Sequence, residues 1–86
     1  MPYISQVRRK AVRTVETEAD QAGELNYEIT TLVNSYVRRH GLKYEVLNAV
    51  VGALESAKAE FQRRVVAPYE DRKIQENGDV YDTRSR

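Results

Sequence analysis

The stretch Tyr44–Ala67, YEVLNAVVGALESAKAEFQRRVVA, decides how the rest of the chain reads. Apolar residues recur at Leu47, Val50, Val51, Leu54, Ala57, Phe61 and Val65. That is the i, i+3, i+4, i+7 spacing that lays one apolar stripe along a helix. No proline interrupts the stripe before Pro68, and the single Gly52 costs a helix only about 1 kcal/mol. As a helix the stretch spans about 36 Å, more than a domain of this size is wide. A stripe that long needs a cover, supplied by the rest of the chain or by a second copy.

Working outward, the segment before it predicts a second helix from about Glu24 to His40, with Leu25, Ile29, Leu32, Val33, Tyr36 and Val37 on one face. Glu24 and Glu28 sit in its first turns and Arg38, Arg39 and His40 in its last, an order that complements the macrodipole at both ends. Gly41 supplies the left-handed position that stops it. The connection Gly41-Leu42-Lys43 is short, which makes this helix and the long one antiparallel neighbours. After the stretch, Pro68 pushes the preceding residue out of helical angles and ends the long helix. A short fourth helix, about Tyr69 to Glu76, follows at the bend and closes at Asn77-Gly78. Towards the start, Ser5 is the N-cap of a first helix running to about Glu18, with Val7, Ala11 and Val15 on its apolar side. Val12, Thr14, Val15 and Thr17 weaken it by β-branching. Arg8, Arg9 and Lys10 crowd its first turns, where the macrodipole disfavours cations. Asp20–Gly23 reads as a turn. The expectation is an all-α fold: a three-helix antiparallel arrangement around one long helix (about 44–67), with a short fourth C-terminal helix. Residues 1–81 form the single domain and 82–86 a loose tail.

An 86-residue chain buries only about 60–65% of its unfolded surface, so association between copies is expected to supply stability. There are no cysteines, which removes disulfides and thiolate metal sites. No apolar run approaches the roughly 18 residues needed to span a bilayer. MPYISQVRRK lacks the apolar centre of a signal peptide. These features point to a cytoplasmic protein with no membrane partner. The net charge of +1 hides two blocks: residues 1–14 hold Arg8, Arg9, Lys10 and Arg13 with no acid, and 15–28 hold Glu16, Glu18, Asp20, Glu24 and Glu28 with no base. The blocks can pair within one molecule or between two. Their near cancellation disfavours binding duplex DNA through overall charge.

Machinery for catalysis is sparse. His40 is the sole histidine, and beside two arginines at a helix end it is better placed to cap a helix than to ligate a cation; zinc needs three or four converging ligands. Glu76-Asn77-Gly78-Asp79 lacks the spacing of a calcium loop. The four glycines are scattered, so no phosphate loop is present. Glu55, Lys58 and Glu60 at helical spacing read as surface pairs. A helix-turn-helix built on the HGLK turn would present Tyr44, Glu45, Asn48, Ala49 and Gly52, with no cation and little reach to base edges. Neither a cofactor nor a metal is expected.

Three polar groups invite a ligand instead. Asn26 and Tyr27 lie at the start of the second helix, where free N–H groups can hold an anion. Arg63 and Arg64 follow Phe61 near the end of the long one. Tyr69, Asp71, Arg72, Lys73, Asn77 and Tyr81 gather within one short segment. Tyrosine with arginine suits stacking on a base and bidentate contact to phosphate. The plainer reading makes these groups helix caps and a polar network at a subunit seam, with Tyr69 and Tyr81 as packing aromatics whose hydroxyls stay wet.

GELNYEIT (Gly23–Thr30), GALESAKAEFQRRVVAPYED (Gly52–Asp71) and KIQENGDVY (Lys73–Tyr81) resemble a family of small, functionally uncharacterised proteins from bacteriophages and bacterial genomes. The resemblance covers roughly residues 1–81, and its last segment is the most distinctive. Where a helix-capping serine would be expected, this chain has Lys43, so that helix start is less securely capped. The resemblance implies a phage-linked accessory protein acting in the contest between phage and host. Similar in size and helicity are phage sponges that sequester cyclic-nucleotide signals between protomers. The expected function is therefore non-enzymatic: a homo-oligomer that binds a small anionic signalling nucleotide. The alternatives are an adaptor or inhibitor docking a helix face on a host protein, and a weak nucleic-acid binder using the Arg8–Arg13 block.

Overall fold

The computed structural model describes residues 2–14 and 16–82. Among them there is no strand. The elements are α1 (Gln6–Ala11), α2 (Ala22–His40), α3 (Tyr44–Phe61), a π-helical turn (Gln62–Val66) and α4 (Ala67–Asn77).

The long helix does not stop where the proline was expected to stop it. Phe61, Gln62, Val66 and Ala67 all keep right-handed helical angles, so α3, the π turn and α4 form one run from Tyr44 to Asn77. At about 1.5 Å per residue the run measures about 51 Å, matching the longest dimension of the molecule, 51 Å. The fourth helix at a bend is thus the continuation of the third. The reason lies in the hydrogen-bond step. Pro68 near the start of α4 would clash, in an α-helix, with the carbonyl four residues back. Here the Ala67 N–H bonds to the Gln62 carbonyl, five residues back. The wider turn gives the pyrrolidine ring room without breaking the run.

The first helix is shorter than expected. Ser5 caps it as its sequence predicts, accepting from the Arg8 N–H at 3.2 Å, but the helix ends at Ala11 and Val12 turns extended. β-branching after Ala11 leaves too little to propagate a short helix, and the early stop puts Arg8, Arg9 and Lys10 in its last turn, where the macrodipole favours cations. Val15, expected on its apolar face, lies outside the described residues, as do residues 83–86 of the expected tail. The chain then runs without regular structure to α2, tied down by side chains. The Thr17 hydroxyl donates to Glu28 at 2.6 Å, the Ala19 N–H to Thr17 at 2.9 Å, and the Asp20 N–H to Glu24 at 2.8 Å.

α2 begins two residues earlier than expected and ends at His40 as its charge order predicts. Gly41 closes it at φ 99°, its N–H returning to the Val37 carbonyl at 2.7 Å, a conformation that side-chain-bearing residues rarely adopt. α3 opens at Lys43 with no side-chain cap, as the lysine there led one to expect.

Packing within the chain is slight. α2 approaches α3 across the turn, and α1 packs on neither. Val46 at the start of α3 is the one buried apolar residue among those described. Val33, Val37 and Val50 are half-buried, whereas Leu32, Val51 and Phe61 remain 65%, 64% and 59% exposed. The radius of gyration is 17.6 Å, against about 12 Å for a compact domain of this length.

Candidate functional site

The polar groups singled out in the sequence fall at three places on this frame. The first is the π turn. Arg63 sets Nε and Nη2 on the two carboxylate oxygens of Glu60, at 2.9 and 2.8 Å. This fork-on-carboxylate geometry is the strong form of an ion pair. The hydrogen bond from Arg63 holds the Glu60 carboxyl below the usual carboxylate range, burial opposes it, and the Tyr3 hydroxyl and Arg64 assist. The same bond raises Arg63. Tyr3 therefore reaches the long helix from the far end of the chain. Arg64, next in sequence, has no ion pair among the described residues.

The second place is α4 and the segment after it. The Tyr69 ring, half-exposed, lies 5.6 Å from the Arg72 guanidinium and 5.5 Å from the Lys73 ammonium. Both distances are within the range at which a cation is attracted to a ring face. Lys73 also meets Glu76 at 3.4 Å. Gly78 ends α4 at φ 92°, with its N–H on the Ile74 carbonyl at 2.8 Å. The Asp79 carboxylate then accepts from the Tyr81 N–H at 3.0 Å, an Asx turn that folds the chain back. Lys73, Asn77 and Tyr81 consequently line one open pocket beside Ile74 and Val80. Glu70 and Asp79 share that pocket, so its charge is mixed rather than cationic. Asp71 is on α4 but does not line it.

The third place is the start of α2. Asn26 lines the furrow between α2 and α3, with Thr30 donating to its carbonyls at 2.9 and 3.4 Å. Tyr27, 70% exposed, borders a shallow hollow with Glu18, Glu24 and Glu28. The Glu24 carboxylate accepts from the Asp20 N–H, and with Glu18 and Glu28 it makes the hollow acidic, which disfavours an anion there. Neither residue lines the α4 pocket.

The structure thus brings Lys73, Asn77 and Tyr81 together, sets Tyr69 with Arg72 and Lys73 along α4, and keeps Arg63 and Arg64 at the π turn. Two groups lay outside the ligand-binding set read from the sequence. One is the pair of acids in the α4 pocket, Glu70 being signalled only by its i, i+3 step from Lys73. The other is Tyr3, which no local pattern connects to Glu60. His40, away from all three places, packs against the Tyr36 ring at a tilt of 42°, with ring centres 4.4 Å apart.

Two apolar hollows are contiguous between α2 and α3. Leu32, Tyr36, Ala49 and Val50 line one, Ala22, Leu25 and Ile29 the other, and both share Val33 and Leu54. Together they form an open furrow along α2 and α3. Among the described residues no group of three or more metal-ligating side chains converges, and no helix is long and apolar enough to cross a membrane.

Neither a curated protein nor a solved structure matches the chain. A family model described as a domain of unknown function (DUF6899) matches residues 1–80, and the chain belongs to that family.

Proposed function

We propose that this chain is a non-enzymatic accessory binding protein that works as a homo-oligomer in the cytoplasm of a bacterial host. Its ligand in this reading is a small anionic nucleotide, sequestered in the contest between phage and host. The observation that carries the reading is the Tyr69 ring with Arg72 and Lys73 set against it. A ring that already attracts cations has a face on which a base can stack, and Arg72 has no ion pair among the described residues to compete with a phosphate. Arg64 at the π turn is equally without one. The three helices are read as closing antiparallel around the long run once copies assemble.

A ligand held by the native state stabilises it by about 2.7 kcal/mol at a concentration about 100-fold over its Kd. In a thermal-shift panel of mononucleotides and cyclic nucleotides, at least one is expected to raise Tm by several degrees. Tyr69→Ala and Arg72→Ala are expected to abolish that shift. A flat response across the whole panel sinks the reading.

The open α2/α3 furrow favours a second reading, an adaptor or inhibitor docked through its helix face on a host protein. It predicts no thermal shift with nucleotides and a specific host protein recovered with the tagged chain. That protein should be lost when the furrow is filled by Ala49→Trp.

A further inference from the structure

The single chain leaves far more surface open, polar and apolar together, than a compact monomer does. A compact monomer of 9.9 kDa exposes about 5,200 Å². This chain exposes 8376 Å², an excess of about 3,200 Å². An ordinary protein–protein interface takes about 800 Å² from each partner, and only obligate assemblies take several times that. The excess is therefore of the size that permanent partners cover, and a second copy is the partner always present with the chain.

The charge order of α2 says how that copy lies. Leu32, 65% exposed, stands close to the midpoint of Ala22–His40. Leu25, Ile29 and Tyr36 extend its strip along the helix and are each more than 40% exposed. At 3.6 residues per turn, Glu28 and Arg39 flank the same strip within about 40° of Leu32, with Glu24 farther round on that flank. The helix is acidic at its start and basic at its end along one apolar edge. Such a surface is complementary to itself turned end for end, as a two-fold contact requires. Neither Glu24 nor Arg39 has an ion pair within the chain among the described residues.

We propose that a second copy covers α2, the two α2 helices crossing antiparallel at Leu32, with Glu24 of one copy opposite Arg39 of the other. This gives the homo-oligomer of the preceding section its seam, and it holds whether or not a nucleotide binds.

Light scattering on the full chain at micromolar concentration is expected to give at least twice 9.9 kDa. Glu24→Arg and Arg39→Glu each set like charges opposite one another, and each is expected to raise at least tenfold the concentration at which assembly, and the helical signal that depends on it, appears. Mixing the two variants restores opposite charges at both ends, so assembly is expected to return; the double variant is expected to assemble as well. Because the chain has no cysteine, Leu32→Cys offers a readout that adds no charge. Mild oxidation is expected to couple it into a disulfide dimer, and to leave Leu42→Cys, out on the turn, uncoupled. A monomeric wild type, single charge variants that mixing does not rescue, or coupling at Leu42→Cys but not Leu32→Cys would each overturn the seam. The ligand reading fails separately: a flat nucleotide panel with rescue on mixing removes the nucleotide and keeps the seam, while a nucleotide-shifted monomer does the reverse.

Discussion

At the scale of single residues, Glu60 and the two positive-φ glycines respond to different physics. The Glu60 carboxyl is held below the usual carboxylate range chiefly by its hydrogen bond from Arg63. A carboxyl whose pKa falls on folding adds stability that is fully present above its unfolded pKa, about 4.3 for a free glutamate. That stability is lost as pH falls through the lower folded value. Unfolding midpoints of the wild type and Glu60→Gln are therefore expected to differ most near neutrality and to converge as pH drops below about 4. Unchanging separation down to strongly acid pH would mean that the pair contributes nothing through its charge. Gly41 and Gly78 hold φ of 99° and 92°, and an alanine at either is expected to cost about 1–3 kcal/mol in urea unfolding. Gly52 is the contrast. A Cβ there meets nothing within 4 Å, so Gly52→Ala is expected to stabilise the helix by about 1 kcal/mol. A loss instead would show that a second chain approaches α3 closely at that point. Gly41 and Gly78 were legible in the sequence because each follows a helical stripe with nothing left to continue it. The Glu60–Arg63 contact was not read there, because the sequence groups Glu60 with Glu55 and Lys58 and Arg63 with Arg64; nor was Tyr3, whose approach to Glu60 depends on how the whole N-terminal segment runs.

Elements were legible in proportion to how far local chemistry governs them. α2 has acids at its start, cations at its end and a glycine beyond, and its predicted bounds hold to within two residues. α1 shows the opposite case: its N-cap was readable in Ser5, but its end was set by weak propagation, which an apolar spacing of Val7, Ala11 and Val15 does not measure. The long run misled for a third reason. The rule that proline ends a helix assumes α-helical hydrogen bonds four residues back. The step of five at Gln62–Ala67 escapes it, and nothing in QRRVVAP announces that step. This makes Pro68→Ala informative. Removing the ring from an α-helix interior relieves about 3 kcal/mol; here the π turn already relieves part of that, so a gain nearer about 1 kcal/mol is expected in urea unfolding. The same variant lets the run revert to α-helical steps, which rotates Tyr69 and Arg72 relative to Arg64. Any nucleotide-induced thermal shift is expected to shrink even as stability rises. A gain of the full 3 kcal/mol would mean that the π turn accommodates nothing.

For the whole molecule, the apolar stripe of Tyr44–Ala67 announced that something must cover it, while the sequence left open whether that was the chain itself or another copy. The chain supplies little: one buried valine among the described residues, and a radius of gyration of 17.6 Å where a compact domain would have about 12 Å. If stability resides mainly between copies, it must depend on how many copies are present. For two chains folding together, each tenfold rise in concentration adds about 1.4 kcal/mol to the unfolding free energy of the pair. The unfolding entropy of two 86-residue chains is about 0.36 kcal/mol per degree at the usual value per residue. The unfolding midpoint is therefore expected to climb by about 4 °C per decade of protein concentration. Circular dichroism from the nanomolar to the high-micromolar range would follow it, with helical signal at 25 °C lost on dilution below the assembly constant. A midpoint that stays fixed over three decades would place the stability within one chain. The furrow between α2 and α3 would then have to close on itself by a movement bringing Leu25 and Ile29 onto Leu54.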